Sequence, residues 1–362
     1  SGKTNIDPVI KSKSKKDPEI ILPKLKGNVT INLRGTIETT KNGVKGPAIF
    51  IEPSVIKLNI TDINQPISID SDLALNVDGN PAKMKLVGNA DVIENQLIIS
   101  DPSKISADML ATLQGLDLKI IEAIGPLIGL DKQQLAGIGN GTVQVKMSPG
   151  SPGAIKSDVA FDNFIAQLTN GDVIVSKRVL FPIDATIDGT SQQITITRAG
   201  IESDLGKVMV DGAFKLTSLD RLMKLEKPDA PGSIHARISV PEVAPVVAML
   251  SNTIALRQGV VVQDGSFEED LTISLLPDQG IRIEQSTNAQ ASGTLDEKSI
   301  ELSPITSKLD ATIALDGKPL GDDPMKELRR LLALTMDVRS AFVNVNATGN
   351  AGGLSAKTSF DL

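Results

Sequence analysis

The sequence predicts a mainly β protein, in which hairpins build an elongated, curved, groove-like antiparallel sheet with a few short inserted helices. Three observations lead to this fold class. Apolar and polar residues alternate along much of the 362-residue chain, as in VTINLRGTIE and VIKLNI. Asp-Gly and Asn-Gly dipeptides, which suit tight hairpin turns, separate these runs. Patterns with helical spacing are few and lie between blocks of strands.

The chain is predicted to begin with a flexible tail over residues 1–24, because this segment is polar, punctuated by proline and rich in lysine. Its lysines would also suit a tether lying beside anionic lipid headgroups. Residues 25–362 are predicted to form one elongated β-rich domain. Turn-rich segments near 148–153 and near 228–232 are the two places where this domain could be subdivided.

Eight Asx-Gly dipeptides each predict a hairpin turn, since both residues tolerate the positive φ that such turns require. Eight turns indicate an antiparallel meander in preference to parallel strands joined by helices. The dipeptides are Asn42-Gly43, Asp78-Gly79, Asn140-Gly141, Asn170-Gly171, Asp188-Gly189, Asp211-Gly212, Asp264-Gly265 and Asp316-Gly317.

Four segments show helical spacing of apolar residues and are predicted to be helices. Residues 106–130 are interrupted by glycine and proline, residues 218–227 end before a proline, and residues 243–256 begin near two prolines. Residues 322–343 have acidic capping residues and a proline in the first turn, which is typical of a helix N-terminus.

Three blocks of the chain, residues 73–100, 183–216 and 288–320, share a loose template of strand, glycine-containing turn, strand, polar stretch and strand. A sheet that grows by adding such hairpins need not close around one compact core.

The composition argues against several classes of function. The chain has no Trp, no Tyr and no Cys, and its net charge is −7. Single-stranded nucleic acids are bound by exposed aromatic rings and duplexes by basic surfaces, so no nucleic-acid partner is predicted. Without cysteine there are no disulfides, thiolate metal sites or cysteine nucleophiles.

No catalytic, metal or cofactor site is predicted, and the chain is not expected to be an enzyme. The single histidine, His235, lies on the alternating segment SIHARIS without ligand partners at metal-binding spacing. The glycine-rich residues 137–145 follow a predicted helix and precede a strand, which is the reverse of a phosphate-binding loop. Carboxylates at 322–323 and 268–270 are explained by helix capping and by a solvated turn.

Aliphatic strand surface is what remains as a candidate site. Several strands, such as GDVIVSKRVLFPI and KVMVDGAF, are apolar on both faces and need cover on both sides. An ordinary sandwich with helices would provide that cover, and so would a curved sheet whose concave face is a groove occupied by a ligand. The candidate groove residues are Ile194, Ile196, Val208, Val210, Phe214, Val173 and Val175.

The hairpin over residues 194–216, followed by the short helical segment SLDRLMKL, resembles the AsmA-like family of bacterial envelope proteins. LKGNVTINLRGTIE and residues 73–100 look like looser versions of the same pattern. The matching residues are Ile194, Thr195, Ile196, Ile201, Ser203, Gly206, Val208, Val210, Gly212 and Phe214.

The resemblance implies a non-enzymatic envelope protein, similar to bridge-like lipid-transfer proteins, whose trough of β-strands is lined with aliphatic residues. Its partners would be phospholipids or other envelope lipids, which it would bind or conduct between membranes, and other envelope proteins in outer-membrane biogenesis. It would lie in the periplasm, held to the inner membrane by an N-terminal anchor that is not among these residues. The predicted helices depart from the family pattern, since they could plug the groove. The alternative is a β-rich structural or adhesive surface module that binds no lipid.

Overall fold

The computed structural model describes residues 9–12, 18–21, 27–37, 40–41, 44–45, 48–61, 65–91, 93–94, 97–98, 104–121, 134–256, 258–277, 279–315, 332–339, 343–350 and 353–360. Within these residues the chain forms twenty-three β-strands and two short α-helices. Seventeen strands belong to one large antiparallel sheet, and the other six form three separate two-stranded pairs. The predicted class, a mainly β chain with a large antiparallel sheet and few helices, is confirmed.

The chain divides into two compact units. The first consists of Ser1–Asp131, Leu135–Ala160 and Ile187–Thr190, and the second of Lys132–Gln134, Phe161–Thr186 and Ser191–Leu362. Strands β13 (Ser151–Gln167) and β14 (Val173–Asp188) have residues in both.

The first unit is built on a meander in which each strand pairs antiparallel with the next, in the order β3, β6, β7, β8, β11, β12. Three further pairs of strands are separate from this meander: β1 pairs with β2, β4 pairs with β5, and β9 pairs with β10. The strand bounds are β1 Val9–Ser12, β2 Pro18–Ile21, β3 Gly27–Ile37, β4 Thr40–Lys41, β5 Val44–Lys45, β6 Ile49–Ile60, β7 Ile67–Val77, β8 Asn80–Asp91, β9 Ile93–Glu94, β10 Leu97–Ile98, β11 Ser106–Asp117 and β12 Gln134–Ser148.

The second unit is a longer meander, in which nine consecutive strands from β15 to β23 pair antiparallel in chain order. Helix α1 connects β16 to β17, and helix α2 connects β17 to β18. The bounds are β15 Gln193–Ser203, β16 Gly206–Lys215, α1 Leu216–Met223, β17 Gly232–Val240, α2 Val243–Met249, β18 Val260–Leu276, β19 Gly280–Leu295, β20 Lys298–Ala314, β21 Leu332–Arg339, β22 Val343–Asn350 and β23 Gly353–Phe360.

Two of the four predicted helices are confirmed with shorter bounds. The prediction at 218–227 corresponds to α1, and the prediction at 243–256 corresponds to α2, after which the chain turns. Neither helix is long and apolar enough to span a bilayer, and the same holds for every helical segment in the described part of the chain.

The other two helix predictions are wrong over most of the residues that can be compared with the structure; within 106–130, Ile120 and Ile121 are helical. Ser106–Asp117 is β11, between β8 and β12, and Leu332–Arg339 is β21, between β20 and β22. Both segments also alternate: Leu332, Leu334 and Met336 are half-buried, and the residues between them are exposed. Pairing with a strand on each side favours the strand over the helical spacing. Residues 122–130, 322–331 and 340–342 lie outside the described residues.

Three of the predicted Asx-Gly turns are confirmed as turns. Asp78-Gly79 connects β7 to β8 with φ of 51° and 91°, the positive values that a two-residue hairpin turn requires. Asn170-Gly171 lies in the turn after β13, and Asp188-Gly189 lies where β14 ends. Asn42-Gly43 and Asp316-Gly317 lie outside the described residues.

The turns predicted at Asn140-Gly141, Asp211-Gly212 and Asp264-Gly265 are wrong, because these dipeptides lie inside β12, β16 and β18. A Cβ atom on Gly212 would lie 2.2 Å from the carbonyl oxygen of Ser233 on the neighbouring strand. Glycine is therefore required there by the close approach of two strands. The turn between β15 and β16 is made by Asp204 and Leu205.

The predicted tail contains β1 and β2, which pair with each other, and the remainder of residues 1–24 lies outside the described residues. Residues 148–153 connect β12 to β13 inside the first unit, and residues 228–232 precede β17 inside the second. A subdivision at either place stays a prediction.

Few large side chains are completely buried in the described residues. Six of the twelve buried hydrophobic residues are alanines, and the largest fully buried aliphatic side chains are those of Ile49 and Val77. Most of the larger aliphatic side chains are therefore only half-buried, and their positions on the sheet identify the candidate site.

Candidate functional site

The register of the second unit separates apolar from polar side chains, because residues paired across antiparallel strands lie on the same face of a sheet. One row of partners crosses five strands from β17 to β21. It contains Ile234, Ile273, Ile283, Ala311 and Leu334.

The two rows beside it on the same face have the same character. One contains Ala236, Leu271, Gln285, Leu309 and Met336, and the other contains Gly232, Leu275, Ile281, Ile313 and Leu332. These three rows, together with the residues of β15, β16 and β17 on the same side of the sheet, are named the aliphatic face. Gln285 is the one polar side chain in the three rows.

The opposite face is polar and charged. Its central row contains His235, Thr272, Glu284, Asp310 and Thr335, and the row beside it contains Arg237, Asp270, Ser286, Lys308 and Asp337. Ion pairs connect neighbouring strands here: Arg282 contacts Asp310 through Nε at 3.1 Å and Nη2 at 2.7 Å. This face is suited to water.

The aliphatic face keeps part of its area accessible. Ile234, Ile273 and Ile283 are half-buried, and Ile201 on β15 and Val208 on β16 are 44% and 39% exposed. A face packed against a second apolar layer would bury such side chains almost completely. Contiguous accessible aliphatic surface is typical of binding sites.

The first unit shows the same pattern. One row of partners crosses all six strands of its meander, and every member except a serine is aliphatic. It contains Ile31, Ile56, Ser71, Leu86, Ala111 and Val143. A row on the other side of these strands contains Asn28, Asn59, Ser68, Asn89, Asp108 and Lys146.

Helix α2 closes a cavity of about 200 Å³ at one end of the aliphatic face, beside the turn between β15 and β16. From the sheet, Ile201, Val208 and Ile238 line it, and these three residues are cross-strand partners. From the helix and the residue after it, the lining side chains are Val246, Met249 and Leu250.

Asp172 holds the chain that follows α2. Its side chain is 2% exposed. One carboxylate oxygen accepts the N–H of Asn252 at 2.8 Å, and the other accepts the N–H and hydroxyl of Thr253 at 3.0 and 2.5 Å and the amide of Asn170 at 2.9 Å. Burial alone would raise the pKa of Asp172, but these hydrogen bonds outweigh it and the pKa is lowered. The carboxylate is therefore ionised at neutral pH.

Helix α1 follows the last residue of β16, and hydrogen bonds from its hydroxyl side chains to Asp229 hold it in place. Ser218 is completely buried, and its hydroxyl donates to Asp229 Oδ1 at 2.6 Å and accepts the N–H of Ala230 at 3.2 Å. The hydroxyls of Ser218 and Thr217 lower the pKa of Asp229. Met223 on the same helix is 73% exposed.

Five of the seven predicted groove residues lie together on the aliphatic face. Ile194 pairs with Phe214, Ile196 pairs with Gly212, and Val208 and Val210 continue the same side of β16. A register shift after Ile196 leaves this arrangement intact, because Val208 and Val210 pair with Ile201 and Ala199.

The remaining two predicted groove residues, Val173 and Val175, do not lie with the other five on the aliphatic face. They flank Ile174, which lines the cavity under α2, and side chains alternate along a strand. Val173 and Val175 therefore lie on the other side of β14, where they are 39% and 47% exposed.

Several residues of the site were not among the predicted ones. Alternation in SIHARIS was sufficient to identify Ile234 and Ile238 on β17. By contrast, no local pattern indicates that Asp172 contacts residues 252 and 253, which lie eighty positions further along the chain.

His235 lies on the polar face, with Nδ1 3.5 Å from Asp211 and Nε2 3.4 Å from Asp270. Among the residues that the structure describes, no three His, Cys, Asp or Glu side chains are grouped as a metal site requires.

Comparisons with known protein families, with curated proteins and with solved structures found no match to this chain. Function is therefore inferred from the two faces of the sheet and from the cavity under α2.

Proposed function

We propose that this chain is a non-enzymatic, AsmA-like protein of the cell envelope that binds or conducts lipids on its aliphatic face. The observation that supports this most directly is the set of aliphatic rows across the second unit. Their members are half-buried except for Ala311 and Leu275, which are buried, and the opposite face of the sheet is charged. The ligands are phospholipids or other envelope lipids, with their acyl chains on the sheet.

The chemistry of the face suits a ligand that slides. Each CH₂ group removed from water contributes about 0.8 kcal/mol without needing a directional partner. The three rows contain no charged residue, so a headgroup would find no charged partner in them; Glu269 lies on the same side in the next row, paired with Ile238. Aliphatic width alone is sufficient to retain acyl chains.

The proposed location is the periplasm, with attachment to the inner membrane. The proposed partners are lipids and other envelope proteins. This part of the proposal rests on the resemblance of residues 194–216 to the AsmA-like pattern.

The first test is extraction of the purified chain with organic solvent followed by mass spectrometry, with uptake of a fluorescent phospholipid as the second measurement. We expect reproducible co-purified lipid and saturable uptake. A lipid-free protein that takes up no phospholipid would contradict the proposal and favour a structural or adhesive module.

A matched pair of double variants locates the binding surface. Ile234→Asp with Ile273→Asp places two charges on paired positions of the aliphatic face, and Ser233→Asp with Ser274→Asp does the same on the polar face. Both variants set like charges opposite each other, but only the first also removes half-buried apolar side chains. Uptake should be lost only in the first variant, with circular dichroism confirming that both remain folded. Equal uptake by the two would overturn the assignment of the face.

A further inference from the structure

The cavity under α2 differs from the rest of the aliphatic face because it is closed on one side by a helix. The sheet residues Ile201, Val208 and Ile238 form its floor and belong to the aliphatic face, so the cavity is continuous with that face. Val246, Met249 and Leu250 cover it. A chain lying along the face would end against this helix.

We propose that this cavity is a binding site for the methyl end of a single hydrocarbon chain, and that Asp172 is a positioning residue that keeps α2 over it. This rests on the proposed function, since it assigns one end of the same face a distinct role.

The volume and the lining both favour one chain end. An apolar cavity of about 150 Å³ accepts benzene, whereas drug-sized ligands need about 300 Å³ or more. At about 200 Å³, the cavity under α2 is close in volume to one that accepts benzene, which suits the end of one chain.

The polar residues of the lining do not favour a headgroup. The hydroxyl of Ser203 donates to the carbonyl oxygen of Gly206 at 3.0 Å and accepts the N–H of Leu205 at 3.2 Å, so it is used within the turn. Lys207 also lines the cavity and is the one group that could attract a carboxylate. The test must therefore separate a methyl end from a carboxyl end.

The cover of the cavity is held in place from outside it. Asp172 accepts hydrogen bonds from the N–H groups of Asn252 and Thr253, just beyond the end of α2. Because Asp172, Asn252 and Thr253 do not line the cavity, these contacts fix the helix without entering it.

The chain has no Trp and no Tyr, so a single introduced indole is a unique fluorescent reporter. Ala248 is exposed on α2 and does not line the cavity, so Ala248→Trp reports on the site without filling it. The probes are stearic acids that bear a nitroxide either near the methyl end or near the carboxyl end. We expect the methyl-end label to quench the introduced indole more strongly.

A matched pair of substitutions in the same background tests the site itself. Val246→Phe fills the cavity, whereas Val247→Phe makes the same change at the next helix position, which does not line it. Quenching by the methyl-end label should be lost in the first and kept in the second. Each methylene excluded from the cavity should weaken binding about fourfold.

The outcomes distinguish this inference from the proposed function. Stronger quenching by the carboxyl-end label would overturn the proposed orientation. Stearate binding with equal quenching by both labels, or with no effect of Val246→Phe, would overturn the site and leave the aliphatic face in place. Failure of the wild-type chain to bind stearate or phospholipid would contradict both.

Discussion

Gly212→Ala tests whether the glycine inside β16 is required by close strand packing. Gly212 has a φ of 154°, which L-residues rarely adopt, and it faces β17. An alanine Cβ there would lie 2.2 Å from the carbonyl oxygen of Ser233 and 2.8 Å from Cα of Ile234. Since Cβ contacts below 3.0 Å are essentially absent from real proteins, β16 and β17 would have to separate.

The expected cost has two parts. Forcing extra atoms into a packed site costs about 1–3 kcal/mol, and a non-glycine residue in a glycine-only backbone region costs about 1–3 kcal/mol. Alanine also restricts the unfolded chain, which offsets about 0.4–1 kcal/mol. The free energy of unfolding should therefore fall by about 1–6 kcal/mol, a large share of the usual 5–15 kcal/mol.

Gly171→Ala is the matched control within the second unit. Gly171 also has a positive φ, 92°, but its Cβ would meet only Asn252 Nδ2, at the ordinary distance of 3.6 Å. Urea unfolding monitored by circular dichroism should show Gly212→Ala to be less stable than Gly171→Ala by about 1–3 kcal/mol. Equal loss in the two variants would refute the role of strand approach and leave only the backbone conformation.

Two further predictions concern the carboxylates of the second unit. Hydrogen bonds lower the pKa of Asp204, Asp229 and Asp310, as they do for Asp172, so these groups stay ionised in the folded chain where they bind protons in the unfolded chain. The stability that these carboxylates contribute is therefore fully present above the unfolded pKa of about 3.8, and it is lost as the pH falls through their lower folded pKa values. The urea concentration at the midpoint of unfolding should thus decrease below about pH 4. A midpoint that does not change with pH in this range would contradict the assignment. Asp172→Asn replaces one acceptor oxygen by an N–H donor, so the amide hydrogens of residues 243–254 should exchange faster, and the stearic acid labelled near its methyl end should bind more weakly. Asp229→Asn is the control, because Asp229 does not contact α2, and it should leave both measurements unchanged.

Strands and their faces could be predicted from the sequence where alternation is regular. In β17 the letters SIHARIS already place Ile234, Ala236 and Ile238 on one side and Ser233, His235 and Arg237 on the other, as the structure has them. Alternation depends only on the geometry of a single strand, so it can be read without knowing the neighbours.

Features that depend on a neighbouring strand could not be predicted. Asp78-Gly79 and Asp211-Gly212 are the same dipeptide, yet the first makes a turn and the second lies within a strand, because only the second meets the backbone of Ser233. Met109 and Leu113 fit helical spacing and also fit alternation. Their pairing with β8 and β12, which decides between the two, is not a local property.

The solvent exposure of the aliphatic face bears most directly on function, and the alternation of apolar and polar residues does not predict this exposure. The same pattern at Ile234, Ile273 and Ile283 would arise if a second apolar layer covered them, as in an ordinary sandwich. In that case they would be almost completely buried, as Val77 of the first unit is. They are instead half-buried among the residues that the structure describes. Partial exposure of paired isoleucines in the middle of a sheet leaves area for a ligand, and for this reason the Ile234 and Ile273 positions separate a lipid-binding face from a structural one.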